Sequence, residues 1–470
     1  MNRDQPVEPS REDLLALIAA QAAQIAALTA RIAELERRLG LDSSNSGKPP
    51  SSDGLKRPVR VRSLREASGN PPGGRKGHPG DTLRQTETPD VVVDHYPQAC
   101  AGCGMGLMAA MASGHTARQV FDLPEPRPPV VTEHRAHECC CPGCGLRTKA
   151  GFPAGVVAPV QYGPRISAVA VYLLHGQFVP EDRVAELMRD LFGARLVAAT
   201  IAQMSRNCAD RLASFVQAVR NHVTGAKVKH LDETGFRIGG QTRWLHVAST
   251  ALLTVYRPCD RRGLVWDNVT GIAVHDHWKP YYTMTGVRHA LCNAHHLREL
   301  KALIEIDKED WARQMQTLLR RACHVANLSN AGGVRLKPRL IARIERRYDA
   351  IVAAGLAFHM NLPRLLRAQR RGWKPKRPGH NLLARFQLRR EDVLRFLHDP
   401  DVPFTNNQAE RDIRMMKLRQ KISGGFRSRA GAEIFAVIRS ALSTARKQGW
   451  DLVATLMRPP QTLLQELKIA

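Results

Sequence analysis

Apolar residues first recur at every seventh position. Ile18, Ile25, Ile32 and Leu39 share one place in a repeat across 11–41, Leu14, Leu28 and Leu35 share a second, and Gln21 interrupts that second row. Ile in one seam position with Leu in the other favours two parallel helices, so 11–41 predicts a dimer-forming coiled coil rather than a helix packed on its own core. The next segment cannot supply such a core. Across 42–90 the apolar positions thin out into stretches such as SSNSGKPPSSDG and NPPGGRKGHPG, which predict a flexible basic linker. Short β-type runs return at 91–96 and 130–136, within a module read as 91–157. Three amphipathic stretches follow, 164–176, 180–192 and 197–212, with Gly193 in a tight connection. They predict a helical domain over 164–222, either a helix-turn-helix or an ordinary three-helix unit.

At Lys227 the period changes from helical to two. The runs 228–238, 242–249 and 251–256, with Gly239-Gly240 between the first two, predict three strands of a meander. A fourth run, 271–276, follows after a connection just long enough to cross to a parallel strand, so the region 227–450 opens an α/β sheet. The stretches 297–328 and 340–366 read as helices inside an insertion of about 297–400, and 451–470 reads as a C-terminal tail.

Charge narrows the partner. Lys plus Arg number 70 against 43 Asp plus Glu, a net +27 that exceeds what solubility requires and points to a polyanion. Ten Lys or Arg and no acidic residue occupy 364–390, interleaved with Trp373 and Phe386, and 411–447 is also basic. Such surfaces neutralise phosphates and release counterions, which makes Lys374, Lys376, Arg377, Arg411, Arg414, Lys417, Lys421 and Arg427 candidates for DNA contact. No stretch approaches about 18 consecutive apolar residues, so neither a membrane span nor a secretory leader is expected.

Two kinds of metal chemistry are visible. Six of the ten cysteines crowd into 100–144, and Cys100-Ala-Gly-Cys103 and Cys141-Pro-Gly-Cys144 are two knuckles able to aim four thiolates at one structural Zn²⁺. The interval 104–140 exceeds the usual ribbon spacing of about 15–20 residues, and Cys139 and Cys140 leave the ligand choice open. Further on, Asp232 in HLDET and Asp276 in AVHDHW each place a carboxylate in an apolar run, where a divalent cation is a sensible partner. Glu410, Arg414 and Lys417 stand at i, i+4 and i+7, one helical face with a carboxylate followed by two cations. Cys292, His295 and His296 in ALCNAHH invite another metal reading, but the sequence locates no further ligand, and a structural or substrate-contacting role is preferred.

The strings LDETGF, WLHVAST, HDHWKPYY, ALCNAHHLREL, NNQAERDIRMMK and KISGGFRSRAGAEIFAVI, in this order behind the knuckles and the heptads, closely resemble transposases of the insertion sequence 66 family. The resemblance implies a multidomain α/β chain: coiled coil, zinc-ribbon-like β module, helix-turn-helix-like domain, and an RNase H-like mixed-sheet core with a helical insertion. It implies an Asp-Asp-Glu triad at Asp232, Asp276 and Glu410 holding two Mg²⁺ or Mn²⁺ ions, with Asp232 between them. The implied activity is cleavage at the ends of an insertion sequence and transfer of the freed 3′-hydroxyl into target DNA. A non-cutting repressor derived from such an element and a plain metal-dependent nuclease are the alternatives. The implied partners are DNA, a second copy or more of the chain, and accessory proteins of the same element, in the bacterial cytoplasm at the nucleoid and without a membrane. One departure is noted: the stretch after Arg262-Gly263 is shorter than in many relatives, which implies a shortened crossover helix.

Overall fold

The architecture is that of a computed structural model, which describes residues 10–42, 45–46, 83–123, 128–263, 266–363 and 376–469. Most of the expected linker and Lys374 fall outside these. The chain divides into two compact units, Met1–Arg60 with Val130–Ala470, and Val61–Pro129.

Helix α1 (Arg11–Leu39) begins at a capping box, in which the Asp13 N–H donates to Ser10 Oγ and the Ser10 N–H donates to Asp13 Oδ2, both at 3.1 Å. Its heptad side chains are uncovered: Ile18, Ile25, Leu28 and Ile32 are 61, 64, 56 and 56% exposed. By length and a mean hydropathy of 1.5 the helix is apolar enough to cross a membrane, although its large apolar residues other than Leu15 and Leu17 keep the heptad spacing. Its last turn is tied down by the ion pair of Arg37 with Asp307, at 3.3 Å.

The smaller unit is held by a few polar links, such as the Gln119 side chain bonding the backbone of Thr86 in both directions at 2.7 Å. Its first knuckle turns so that the Cys100 N–H donates to Met105 O at 2.8 Å and the Gly104 N–H to Cys100 O at 2.9 Å. The second knuckle, in the larger unit, repeats this turn, with Cys141 N–H to Leu146 O at 2.9 Å and Gly145 N–H to Cys141 O at 2.8 Å. It is carried by the hairpin of β1 (Glu138–Cys140) and β2 (Arg147–Lys149). The β-type runs at 91–96 and 130–136 are not strands. Their apolar side chains find no neighbouring ladder among the described residues, and a strand without a partner has no hydrogen bonds to hold it.

Beyond Gly163, α2 (Pro164–Val171) runs into one wider turn at Tyr172–Gly176, and α3 (Glu181–Phe192) ends at Gly193 before α4 (Ala198–Gly225). The sheet follows: β3 (Val228–Ile238), β4 (Gln241–Ser249) and β5 (Thr254–Cys259) form the antiparallel meander, then β6 (Gly271–His275) and β7 (Val287–Leu291) lie parallel on the other side of β3. Its order is β5-β4-β3-β6-β7. Gly239 and Gly240 have φ of 54° and 77°, as a two-residue turn with positive φ at both positions demands. At Gly271, φ is +74° and a Cβ would stand 2.7 Å from Lys227 O, so only glycine lets β6 start against β3. Among the described residues between β5 and β6 there is no helix, so the implied crossover helix is absent rather than shortened. The preceding α4 instead packs on β4 and β5.

The helical insertion comprises α5 (Asn293–Ala302), α6 (Asp310–Ala331), α7 (Pro338–Met360), α8 (Pro378–Leu388) and α9 (Arg390–His398). Helices α10 (Asn407–Ser423) and α11 (Arg429–Gln448) return to the sheet. Residues 451–469 are not a loose tail: α12 (Leu452–Met457) and α13 (Pro460–Gln465) pack on α2 and α4 and bury Leu456 and Leu463. Strand alternation divides the core. Leu231, Ala248 and Ala273 join α4 and α11 on one face, while Phe236, Leu245 and Val247 meet Ala409, Ile413 and Met416 of α10 on the other. Ile272 and Val274 pack with the insertion helices.

Candidate active site

The register of β3 and β6 runs from Val228–Ile272 to His230–Val274. Continued for two more residues, it sets Asp232 level with Asp276, the first residue past β6, on strands that neighbour one another at about 4.8 Å. The pleat sends Asp232 to the Phe236 face, which α10 covers. Helix α10 is fixed there by Asn406. Its Nδ2 donates to Leu231 O at 2.8 Å, its Oδ1 accepts from His230 Nδ1 at 2.9 Å, and its backbone N–H donates to Cys292 Sγ at 3.1 Å. Glu410, one turn in, stands against His295 and Arg298, and its charge reaches Asp232.

The acidic groups act on one another. Burial first, then the charges of Glu233, Asp276 and Glu410, push the Asp232 carboxyl well above the usual range. Burial and Glu233 likewise raise Asp276. Each accepts one backbone N–H, Asp232 from Glu233 at 2.8 Å and Asp276 from Trp278 at 2.9 Å. Neither makes an ion pair among the described residues. Glu410 differs, since the His295 imidazole holds it below the usual carboxylate range. Its Oε2 has Arg414 at 3.5 Å; its Oε1 is buried, with His295 Nε2 at 3.3 Å and Arg298 at 3.8 Å. A half-buried set of hard oxygen donors, two of them mutually repelling aspartates, fits a divalent cation such as Mg²⁺.

The sequence reading missed a fourth carboxylate. Glu233, 1% exposed at its side chain, pairs with Arg262 at 2.8 Å and accepts from the Tyr281 hydroxyl. The Arg262 guanidinium lies over Trp278 at 3.8 Å and near Trp244 at 4.9 Å. Strand alternation alone gives Glu233 no signal, because it follows Asp232 and leaves from the opposite face. The structure also separates the two histidines after Cys292. His296 is buried against Phe386, with Nδ1 bonded to Asn293 Oδ1 at 3.0 Å, whereas Cys292 and His295 converge on Glu410 with ligand atoms all within 4.8 Å of one another.

Of the DNA candidates, Arg411, Arg414, Lys417 and Lys421 are exposed along α10, and Arg427 is exposed after it. Lys376 is exposed, while Arg377 is partly covered and donates to Pro363 O at 2.8 Å. At the knuckles, backbone N–H groups of Cys103 and Gly102 lower Cys100, and those of Cys144 and Gly143 lower Cys141, which suits thiolate ligands. Cys139 and Cys140 belong to β1 instead, opposite Thr148 and Arg147.

A mixed five-stranded sheet covered by helices defines an α/β protein. Residues 159–434, more than half of the chain, match the Transposase IS66 family, and the chain belongs to that family. Residues 4–84 match a family of unknown function, DUF6444. The uncharacterized protein y4jO of Sinorhizobium fredii (strain NBRC 101917 / NGR234) is 37% identical over 68 residues, 14% of this chain, so the chain spans only 21% of that relative's length.

Proposed function

We propose that this chain is a DNA transposase with an RNase H-like core, in which Asp232, Asp276 and Glu410 hold two Mg²⁺ or Mn²⁺ ions for cleavage at element ends and transfer of the 3′-hydroxyl into target DNA. The observation that carries this reading is the register that sets Asp232 level with Asp276 on neighbouring strands, on the sheet face that the Glu410 helix covers. The sheet order β5-β4-β3-β6-β7 supports the core assignment. Paired divalent ions supply a Lewis acid on each side of a scissile phosphate and an activated oxygen nucleophile. The chain's own part is to place their ligands: Asp232 from mid-strand, Asp276 from the end of β6, and Glu410 from a helix anchored by Asn406. Glu233 is kept out of the ligand set by Arg262 and Tyr281. Arg411, Arg414, Lys417, Lys421 and Arg427 extend a cationic surface from the site along α10, suited to the phosphates of bound DNA.

Structural Zn²⁺ at Cys100, Cys103, Cys141 and Cys144, dimerisation through α1, and DNA contact by α2–α4, Lys374, Lys376 and Arg377 belong to the same proposal, as does a place in the bacterial cytoplasm. The test is a Mg²⁺-dependent cleavage and joining assay on DNA carrying the element's ends. The wild-type chain cuts and joins, and Asp232→Asn binds the same DNA within about threefold but loses at least about a thousandfold in cutting rate. Cutting without joined product supports a plain nuclease, and binding without cutting in Mg²⁺ or Mn²⁺ supports a repressor.

A further inference from the structure

We infer that Cys292, His295 and Glu410 form a second metal site, one for a thiophilic divalent ion of the zinc class, which shares Glu410 with the aspartate pair. The three ligand atoms lie within 4.8 Å of one another, close enough for one ion to reach all of them. Each comes from a fixed element. Cys292 follows β7 and caps α5, with its N–H donated to His275 O at 2.9 Å; His295 is in the first turn of α5, and Glu410 is in the first turn of α10.

The surroundings supply the outer contact of a bound ion. Cys292 Sγ already accepts the Asn406 N–H at 3.1 Å, the type of outer bond that supports a metal-bound thiolate. Glu410 Oε1 is buried, with His295 Nε2 at 3.3 Å and Arg298 at 3.8 Å. The donor set of one sulfur, one imidazole nitrogen and one carboxylate oxygen matches zinc-type ions and is poor for Mg²⁺, which takes oxygen. Three protein ligands leave a fourth position for water. His296 is excluded as the fourth ligand because its ring is packed on Phe386.

Occupancy has a consequence that rests on the triad reading: an ion holding Oε1 on the α5 side withdraws Glu410 from Asp232 and Asp276, so zinc acts as a brake on Mg²⁺-dependent cutting. The binding claim itself does not depend on cutting. Full-length protein is equilibrated with buffered Zn²⁺, and bound zinc per chain is counted by plasma mass spectrometry. Wild type retains one ion more than Cys292→Ser and one more than His295→Gln. The His295→Gln replacement is at a partly exposed position and guards against loss of folding at the buried cysteine. The knuckle variant Cys141→Ser retains the ion lost by those two. Equal zinc in wild type, Cys292→Ser and His295→Gln overturns the site. In the cleavage assay, zinc sensitivity relative to each protein's own zinc-free rate falls at least about tenfold in His295→Gln; unchanged sensitivity overturns the brake. If wild type never cuts, the triad reading fails, and the zinc count still decides this one.

Discussion

Asp232 is unfavourable for the fold, and the proposed chemistry requires it. Its carboxyl is pushed up by burial and by three acidic neighbours, so its charged form destabilises the metal-free protein. The folded value lies above the unfolded value of about 4. The folded state therefore binds the extra proton between the two, and metal-free stability falls as pH rises through that window, then levels off. Asp276 acts in the same sense. Thermal unfolding against pH checks this: Mg²⁺ should flatten the slope, and Asp232→Asn should raise the metal-free melting temperature while abolishing most of the Mg²⁺ stabilisation. Asn406 has the opposite character, since it has no charge and no catalytic chemistry but ties α10 to β3 and to Cys292. Asn406→Ala should cost about 1–3 kcal/mol in urea unfolding, because Leu231 O and His230 lose a buried partner. It should also lower cutting without altering DNA affinity.

Legibility differed between elements for physical reasons. The meander was readable because β3 and β4 are short runs that mix apolar and polar residues without a helical period and Gly239-Gly240 marks the turn. The crossing to a parallel β6 was readable from connection length. β7 was not, because Val287–Leu291 offers five residues with an Arg and a His among them, and its strand character comes from pairing with β6. The runs at 91–96 and 130–136 failed the other way, having strand composition without a partner. Asp232, Asp276 and Glu410 were each visible as single residues, but Glu233, Arg262, Tyr281 and Asn406 form contacts across large sequence separations that no local pattern encodes. Glu410 as the missing ligand for Cys292 and His295 is the same case. For α1, the uncovered heptad seam carries the dimer proposal. Sedimentation should show a dimer for the full chain and a monomer for Ile25→Lys, and a persistent dimer would place the association elsewhere.

Across the whole molecule, the net +27 is unevenly used. Within the acidic centre Arg262 and Arg298 face carboxylates, while α10 turns Arg411, Arg414, Lys417 and Lys421 outward. A negative centre bordered by a positive surface is what a metal-dependent enzyme acting on a polyanion requires, because the ions need anions and the substrate needs cations. The centre depends on elements from far apart in the chain, β3, β6 and α10, with the α5–α9 insertion between the last two. Its integrity is therefore a property of the folded domain as a whole. The most direct test is anomalous diffraction from crystals of the chain grown with Mn²⁺. The account predicts manganese peaks within about 2.0–2.3 Å of carboxylate oxygens of Asp232 and Asp276, with Glu410 reaching one of them. Manganese absent from that cluster, with all three side chains ordered, would contradict it.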